Sequence, residues 1–597
     1  MGERAVPGRE RRLRRAAAAT LLPVLLLLAG CVDLPSQGPV VAGLAPGAEP
    51  APRFVAAGPA PGASPVAVVE GFLRASAAFD DDYPVARSYL APSSARSWRP
   101  TTQVVVVSAR GLVVGGGGGP QLSETDGAPA ATPTSGAVRT VSVSAPLEGV
   151  VDARGRWTTA GSGASYAVDL DVVRVEGEWR IDRPPDEVVL GRDVFSQLYV
   201  PFELQWLTPS RDALVPEVRW FPGRSPSATL LVSELLAGPS PWLADAVTTA
   251  VPDGAVLLSE PPAVPLDDRG RAVVDLSEEA RAASAPDRVL MQAQLEATLR
   301  GVPGVQGVQL SAEGSALDVP RADPDLLDDP VVVDPPVVLS GGRVARLDGD
   351  GAEVVPGLLD VSTLLPSDPA VGVDGLVAVL VQQRSQLLVG RPDAEDDGLR
   401  TVLSGADLVP PSVDRRGWVW STPARARGQV VAVDDGGRLV RVAAPWLDGR
   451  RVLALRVSRD GARAAVVSTD GASTRLDVAG VVRSAADGGA PVRLDVPDSP
   501  PVPGLEEATD VTWVDSTQVA LLGRAEGEEG TRLLLARVDG SRVQSAAAPD
   551  GVRRLTAATG PGTVLLDAPG GGVLARSGRA WVLRPGSESA TDPSYPG

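Results

Sequence analysis

Leu455-Arg-Val-Ser-Arg-Asp-Gly-Ala-Arg-Ala-Ala-Val-Val-Ser468 reads as a strand, a tight polar turn and a second, more apolar strand. Asp460-Gly461 supplies the turn, because glycine enters the positive-φ region that a tight hairpin needs. The same frame recurs at Pro411-Ser-Val-Asp-Arg-Arg-Gly-Trp-Val-Trp-Ser421, with its turn over residues 414–417. It recurs again over residues 510–523, around Trp513, Asp515 and Ser516. Val371–Val381 and Leu555–Leu566 are worn copies. Spacings of about 40–55 residues suit one four-stranded blade per repeat. Residues 325–597 therefore predict an all-β propeller of about five or six blades. An irregular β-sandwich accounts for the same strands and stays open as the alternative.

Moving toward the N-terminus, the periodicity changes. Residues 191–318 mix helix and strand signals. Leu230, Leu231, Leu235 and Leu236 predict a helix stopped by Gly238-Pro239. Met291, Leu295 and Leu299 step by four along another, closed by Gly301 and Pro303. Residues 272–276 and 305–310 read as strands, so the expectation is an α/β sandwich. Residues 64–190 predict an α+β domain. Ser64-Pro65 caps a helix whose apolar face holds Val69, Phe72 and Leu73, interrupted at Ser76 and resumed at Phe79. A short helix over residues 85–90 follows, then strands over 103–107, 139–145 and 166–173, closed by Trp179 and Ile181. Helices followed by a curved antiparallel sheet imply a cone-like domain.

The first 63 residues carry an address rather than a fold. Arg4, Arg9, Arg11, Arg12, Arg14 and Arg15 precede an uncharged apolar run over residues 16–30. That run is the core of a signal peptide, shorter than the roughly 20 residues of a spanning helix. It ends Leu28-Ala29-Gly30-Cys31, a match to the bacterial lipobox. The motif implies a diacylglycerol thioether on Cys31, cleavage between Gly30 and Cys31, and acylation (palmitate-type) of the new amino group. Residues 1–30 are thus expected to be a signal peptide, and residues 31–63, rich in Pro, Gly and Ala, a lipidated tether. The location this implies is the extracytoplasmic face of the cell membrane.

Composition narrows the chemistry. The 597 residues contain no His, and no Lys or Asn occurs in the sequence. A Ser-His-Asp triad, a Schiff-base lysine and a phosphate-loop lysine are excluded. The single Cys allows neither an internal disulfide nor a Cys-rich zinc site. Net charge is −18, and residues 1–30 hold six Arg and two Glu, leaving the remainder near −22. Such a polyanion disfavours nucleic acid as a partner. Only carboxylates remain for acid–base or calcium chemistry. Asp348-Gly-Asp-Gly351 lacks a third acid at Ala352 and reads as a turn between strands. Residues 80–82 and 393–397 read as solvated acidic loops, and Gly115–Gly119 as a hairpin loop continuing to about residue 136. No catalytic residue, metal or cofactor is assigned.

Two resemblances add to this reading. Leu-Leu-Ala-Gly-Pro-Ser at 235–240, Ala-Val-Pro-Asp-Gly at 250–254 and Val-Val-Asp-Leu-Ser at 273–277 resemble the GerMN domain of sporulation and germination proteins. Gln294 through Leu299 with Val302-Pro-Gly-Val305 extends the match. It implies a non-catalytic assembly module. The whole order, with Leu403-Ser-Gly-Ala-Asp-Leu408 leading into Pro410–Trp420, and with Leu455–Gly461, is similar to the actinobacterial LpqB lipoproteins. That resemblance implies a non-enzymatic accessory of the MtrA–MtrB two-component system, touching the sensor kinase ectodomain and affecting envelope homeostasis and division. The alternatives are a lipoprotein binding cell-wall glycan or peptide, and a propeller hydrolase working through carboxylates.

Overall fold

The computed structural model describes residues 2, 56–78, 82–116, 138–223, 227–258, 263–349, 351–392, 398–425 and 427–596. Pro50–Gly597 packs as one compact unit holding three domains. Among the described residues no helix is long and apolar enough to cross a membrane.

The first domain opens with the helix Pro65–Ser76, whose N-cap Ser64 accepts a hydrogen bond from the Ala67 amide at 3.2 Å. Its buried face carries Val68, Val69, Phe72 and Ala75, while Leu73 is only half-buried. Ser76 interrupts the apolar stripe yet is buried, because its hydroxyl donates to the Phe72 carbonyl at 2.8 Å. Gly71 is required for packing: a Cβ there would stand 2.4 Å from the Tyr89 ring. The helix expected over 85–90 is instead Pro84–Arg87, and a further one, Pro92–Ser97, went unread. Both are too short to show a full apolar period. Gln103–Val107 pairs antiparallel with the long strand Val138–Asp152 and parallel with Val188–Gly191. Ser165–Val175 and Glu178–Asp182 continue the sheet beyond Val138–Asp152. The helix Arg192–Leu198 sends Phe195 and Leu198 into this core, and Tyr199, stacked on Phe195, follows them.

The second domain begins with a long hairpin, Tyr199–Leu207 against Leu214–Pro222, which sequence patterning missed. Pro201, Pro216 and Pro222 obscure its strand signature. Arg271–Leu276 and Gly307–Ala312 pair in parallel, joined across the helix Ala285–Leu299. The second of these strands starts beyond the expected Val305. The helix Ser227–Leu236 buries Leu231 and Leu235 against them and leaves Leu230 and Leu236 half-buried. Gly238 ends that helix at φ +87°.

The third domain is a propeller whose described residues form six four-stranded blades, all antiparallel within the blade. Blade 2 is Ser367–Val371, Val377–Val381, Gln386–Gly390 and Arg400–Ser404. The innermost strands of blades 3 to 6 are Ser412–Val413, Arg451–Val457, Leu505–Trp513 and Leu555–Thr556. Blade 1 is composite: the C-terminal strand Ala590–Ser594 becomes the innermost strand, paired with Val337–Ser340. This pairing of the two ends closes the ring and leaves only the short outer edges of the blades. Each of the five repeats read from sequence is the inner hairpin of one blade. Arg343–Asp348 pairs with Gly351–Val354, so the Asp348–Gly351 string is a hairpin turn.

Candidate functional site: the propeller channel and its two faces

A propeller's function is written on the residues its inner strands turn toward the central channel. Here the waist of the channel is lined by Asp592 and Pro593 of blade 1, Asp368 and Pro369 of blade 2, Pro410 and Pro411 before blade 3, Arg456 of blade 4, Asp510 of blade 5, and Arg554 at the start of blade 6. These charges neutralise one another. Arg554 Nε stands 2.6 Å from Asp368, and Arg384 reaches the same carboxylate at 3.6 Å. Arg456 faces Asp510 at 3.4 Å and also donates to the Pro410 carbonyl at 3.2 Å. The second oxygen of Asp510 accepts from the Leu555 amide at 3.1 Å, and Asp510 is fully buried.

Burial works against the charge on Arg554, but Asp368, Asp510 and Asp592 outweigh it and hold its pKa above the ordinary value. Asp592 shows the opposite balance. Burial, then the neighbouring Asp368 and Asp567, push its carboxyl up to about 7, against the pull of Arg554. Asp368 and Asp592 occupy like positions in Ser-Asp-Pro-Ala and Thr-Asp-Pro-Ser, both with φ near +50°. Sequence reasoning missed this pair, although the repeated Asp-Pro was there to be seen. Among the described residues no group of three or more acidic, His or Cys side chains could hold a metal ion.

One face of the propeller is occupied by the other two domains. The contacts come from the loops between the first and second strands of blades 3, 4 and 5, from the third and fourth strands of blade 4, and from the loop between the third and fourth strands of blade 5. Arg463 of blade 4, fully buried, donates to the Pro216 carbonyl at 3.3 Å, pairs with Asp460 and lies over the Trp513 ring. Gly480 allows the backbone of Trp242 to approach, since a Cβ would meet that carbonyl at 2.6 Å. Arg415 reaches Asp212 at 3.6 Å, Arg416 bonds Ser210, and Arg493 pairs with Asp245 at 2.6 Å. The first domain joins through Trp220, whose ring packs on Trp157 and Phe195 and whose Nε1 donates to Asp539 at 3.0 Å. Burial holds the Arg459 guanidinium, beside Asp329 and Asp515 at this joint, below its usual pKa. The opposite face, built from the other set of loops, carries the channel mouth.

The lipidation and cleavage residues read from sequence, Leu28, Ala29, Gly30 and Cys31, lie outside the described residues. Phe79, Asp80, Asp81 and residues 393–397 do as well, while Asp82 is an exposed partner of Arg87 at 2.6 Å.

The fold and the channel define a class: a propeller whose self-paired charges fill the passage and whose docked face carries two smaller domains. Three family models divide the chain in the same way. The LpqB N-terminal domain matches residues 58–196, the sporulation and spore germination domain 197–318, and the LpqB beta-propeller domain 342–596. A lipoprotein LpqB from Cutibacterium acnes is 29% identical over 89% of this chain and 90% of its own length. One from Thermobifida fusca is 28% identical over 98% and 99%, and one from Streptomyces coelicolor is 29% identical over 92% and 92%. The chain belongs to the LpqB lipoprotein family. Among solved structures, TolB from Acinetobacter baumannii aligns at a TM-score of 0.31 and 13% identity, over 51% of this chain and 72% of that one.

Proposed function

We propose that the protein is a non-enzymatic, lipid-anchored accessory of the MtrA–MtrB two-component system, held on the extracytoplasmic face through Cys31 and contacting the sensor kinase ectodomain. The observation that carries the reading is the asymmetry of the propeller. One face is spent on holding the domains together, the channel is filled by its own ion pairs, and the opposite face remains for a partner. A tether of residues 31–63 would span roughly 5–6 Å × √n, on the order of 30 Å, which keeps the body near a membrane-bound partner. Confinement to one membrane raises effective concentration, so a weak contact suffices.

The hydrolase reading draws on Asp592, a carboxyl poised near neutrality. Against it, each oxygen of the neighbouring Asp368 faces an arginine, and Arg456 and Arg554 stand where a substrate would lie. Crosslinking in intact cells tests the accessory role. The anchored full chain is expected to crosslink to the kinase ectodomain. Deleting residues 325–597 should reduce that product, and the released Cys31→Ser protein should lose most of it. Equal crosslinking without the propeller would defeat the assignment. No crosslink in any form, with retention on purified cell wall, would favour glycan or peptide binding instead.

A further inference from the structure

The free face of the propeller opens into a depression of about 290 Å³ at the channel mouth, open to solvent. That is at the lower edge of the roughly 300–1,000 Å³ of small-ligand sites, enough for a few side chains of a bound segment. Its rim carries four guanidinium groups, on Arg384, Arg451, Arg553 and Arg554, and one carboxylate, Asp407. Each comes from a loop on the side away from the docked domains or, for Arg451, from the start of a strand there. Asp407 is engaged by Arg451 at 2.5 Å. Asp368, just below the rim, serves both Arg554 and Arg384. Arg553 is exposed and has no side-chain partner among the described residues. Four cations against these two carboxylates leave an excess of two positive charges, in a chain whose net charge is −18. The deeper carboxylates do not cancel this excess at the rim. Asp510 is taken by Arg456 and a backbone amide, and Asp567 and Asp592, which do not line the mouth, hold their protons more readily than free carboxyls.

The floor between the arginines is different in kind. Ala424, Val452, Leu453 and Ala508 line it, with Thr509 as the one hydroxyl. A purely phosphate-bearing polymer would gain nothing from that floor. An acidic peptide with apolar residues between its carboxylates would use both parts, the guanidinium forks for carboxylates and the floor for side chains. We infer that the mouth is a binding site for an acidic, partly apolar peptide segment. The site stands on the chemistry of the mouth, independently of the kinase partnership proposed above. A concave cationic site on an anionic body also concentrates the local field, so binding should be steered and salt-sensitive.

The test is fluorescence anisotropy on the full chain in non-ionic detergent, with a labelled Glu-Glu-Leu-Leu-Glu-Glu peptide. Its Lys counterpart, hexaglutamate and inorganic polyphosphate serve as comparisons. The acidic peptide should bind and the Lys peptide should not, hexaglutamate should bind more weakly, and added salt should weaken each complex. Arg553→Gln should weaken binding by about threefold and Arg553→Glu by about tenfold or more, with the melting profile unchanged because the residue is exposed and unpaired. Arg183→Glu, on the first domain, should leave binding as it was. Absence of acidic-peptide binding, or binding indifferent to Arg553→Glu, would overturn the proposal. Polyphosphate binding without peptide binding would also overturn it and assign the mouth to phosphate polymers.

Discussion

Asp592 concentrates the residue-scale physics of this protein. Its carboxyl is raised to about 7 from 3.8 by burial and by Asp368 and Asp567. Between about pH 4 and pH 7 the folded chain therefore keeps a proton that the unfolded chain has released. Stability falls as pH rises across that window, by up to about 1.4 kcal/mol per pH unit, and is level above it. Asn has no such proton and tolerates the positive φ found here. Asp592→Asn should flatten the decline, so that urea midpoints at pH 5 and pH 8 move closer together than in the parent chain. An unchanged pH profile would show that Asp592 does not titrate in this window. Little of this was legible beforehand, because a pKa depends on neighbours hundreds of residues apart in sequence. The lipobox is the contrary case. The expectation placed on Leu28 to Cys31 rests on adjacent residues alone and involves no tertiary contact.

At the scale of elements, local patterning recovered what has a period and missed what does not. The helix Ser227–Leu236 was legible as a leucine-rich run, yet only packing separates Leu231 and Leu235 from the half-buried Leu230 and Leu236. Leu235→Asp should therefore lower the stability of the full chain by about 3 kcal/mol or more, the cost of an unpaired buried charge. Leu230→Asp should cost clearly less. Thermal melts of the two variants compare the faces directly, and equal losses would show the helix face is misassigned. The blade hairpins were legible because a polar turn and an apolar second strand repeat within about 15 residues. The hairpin Tyr199–Leu207 with Leu214–Pro222 was not, because its prolines and its two buried faces erase the alternation.

For the whole molecule, the joint between the second domain and the propeller decides how the parts respond together. Arg463 is buried across it, bound to Asp460 and to the Pro216 carbonyl. Arg463→Met would keep much of the volume but strand the Asp460 carboxylate, at a cost of about 3–5 kcal/mol. Calorimetry is expected to show one coupled transition for the parent chain and separate steps for this variant. A single unsplit peak at the parent temperature would show that the joint does not couple the domains. What the sequence by itself determined is what rests on short range: the three composition zones, the blade repeat, and the catalytic chemistries ruled out by the absence of His and Lys. Only the tertiary structure decided the number of blades, because a ring closes when Ala590–Ser594 finds Val337–Ser340 across some 250 residues. It alone decided, too, that the channel charges pair with one another and that the arginines of one face stand together. Those are meetings of loops from different blades, and no local pattern encodes which loops will meet.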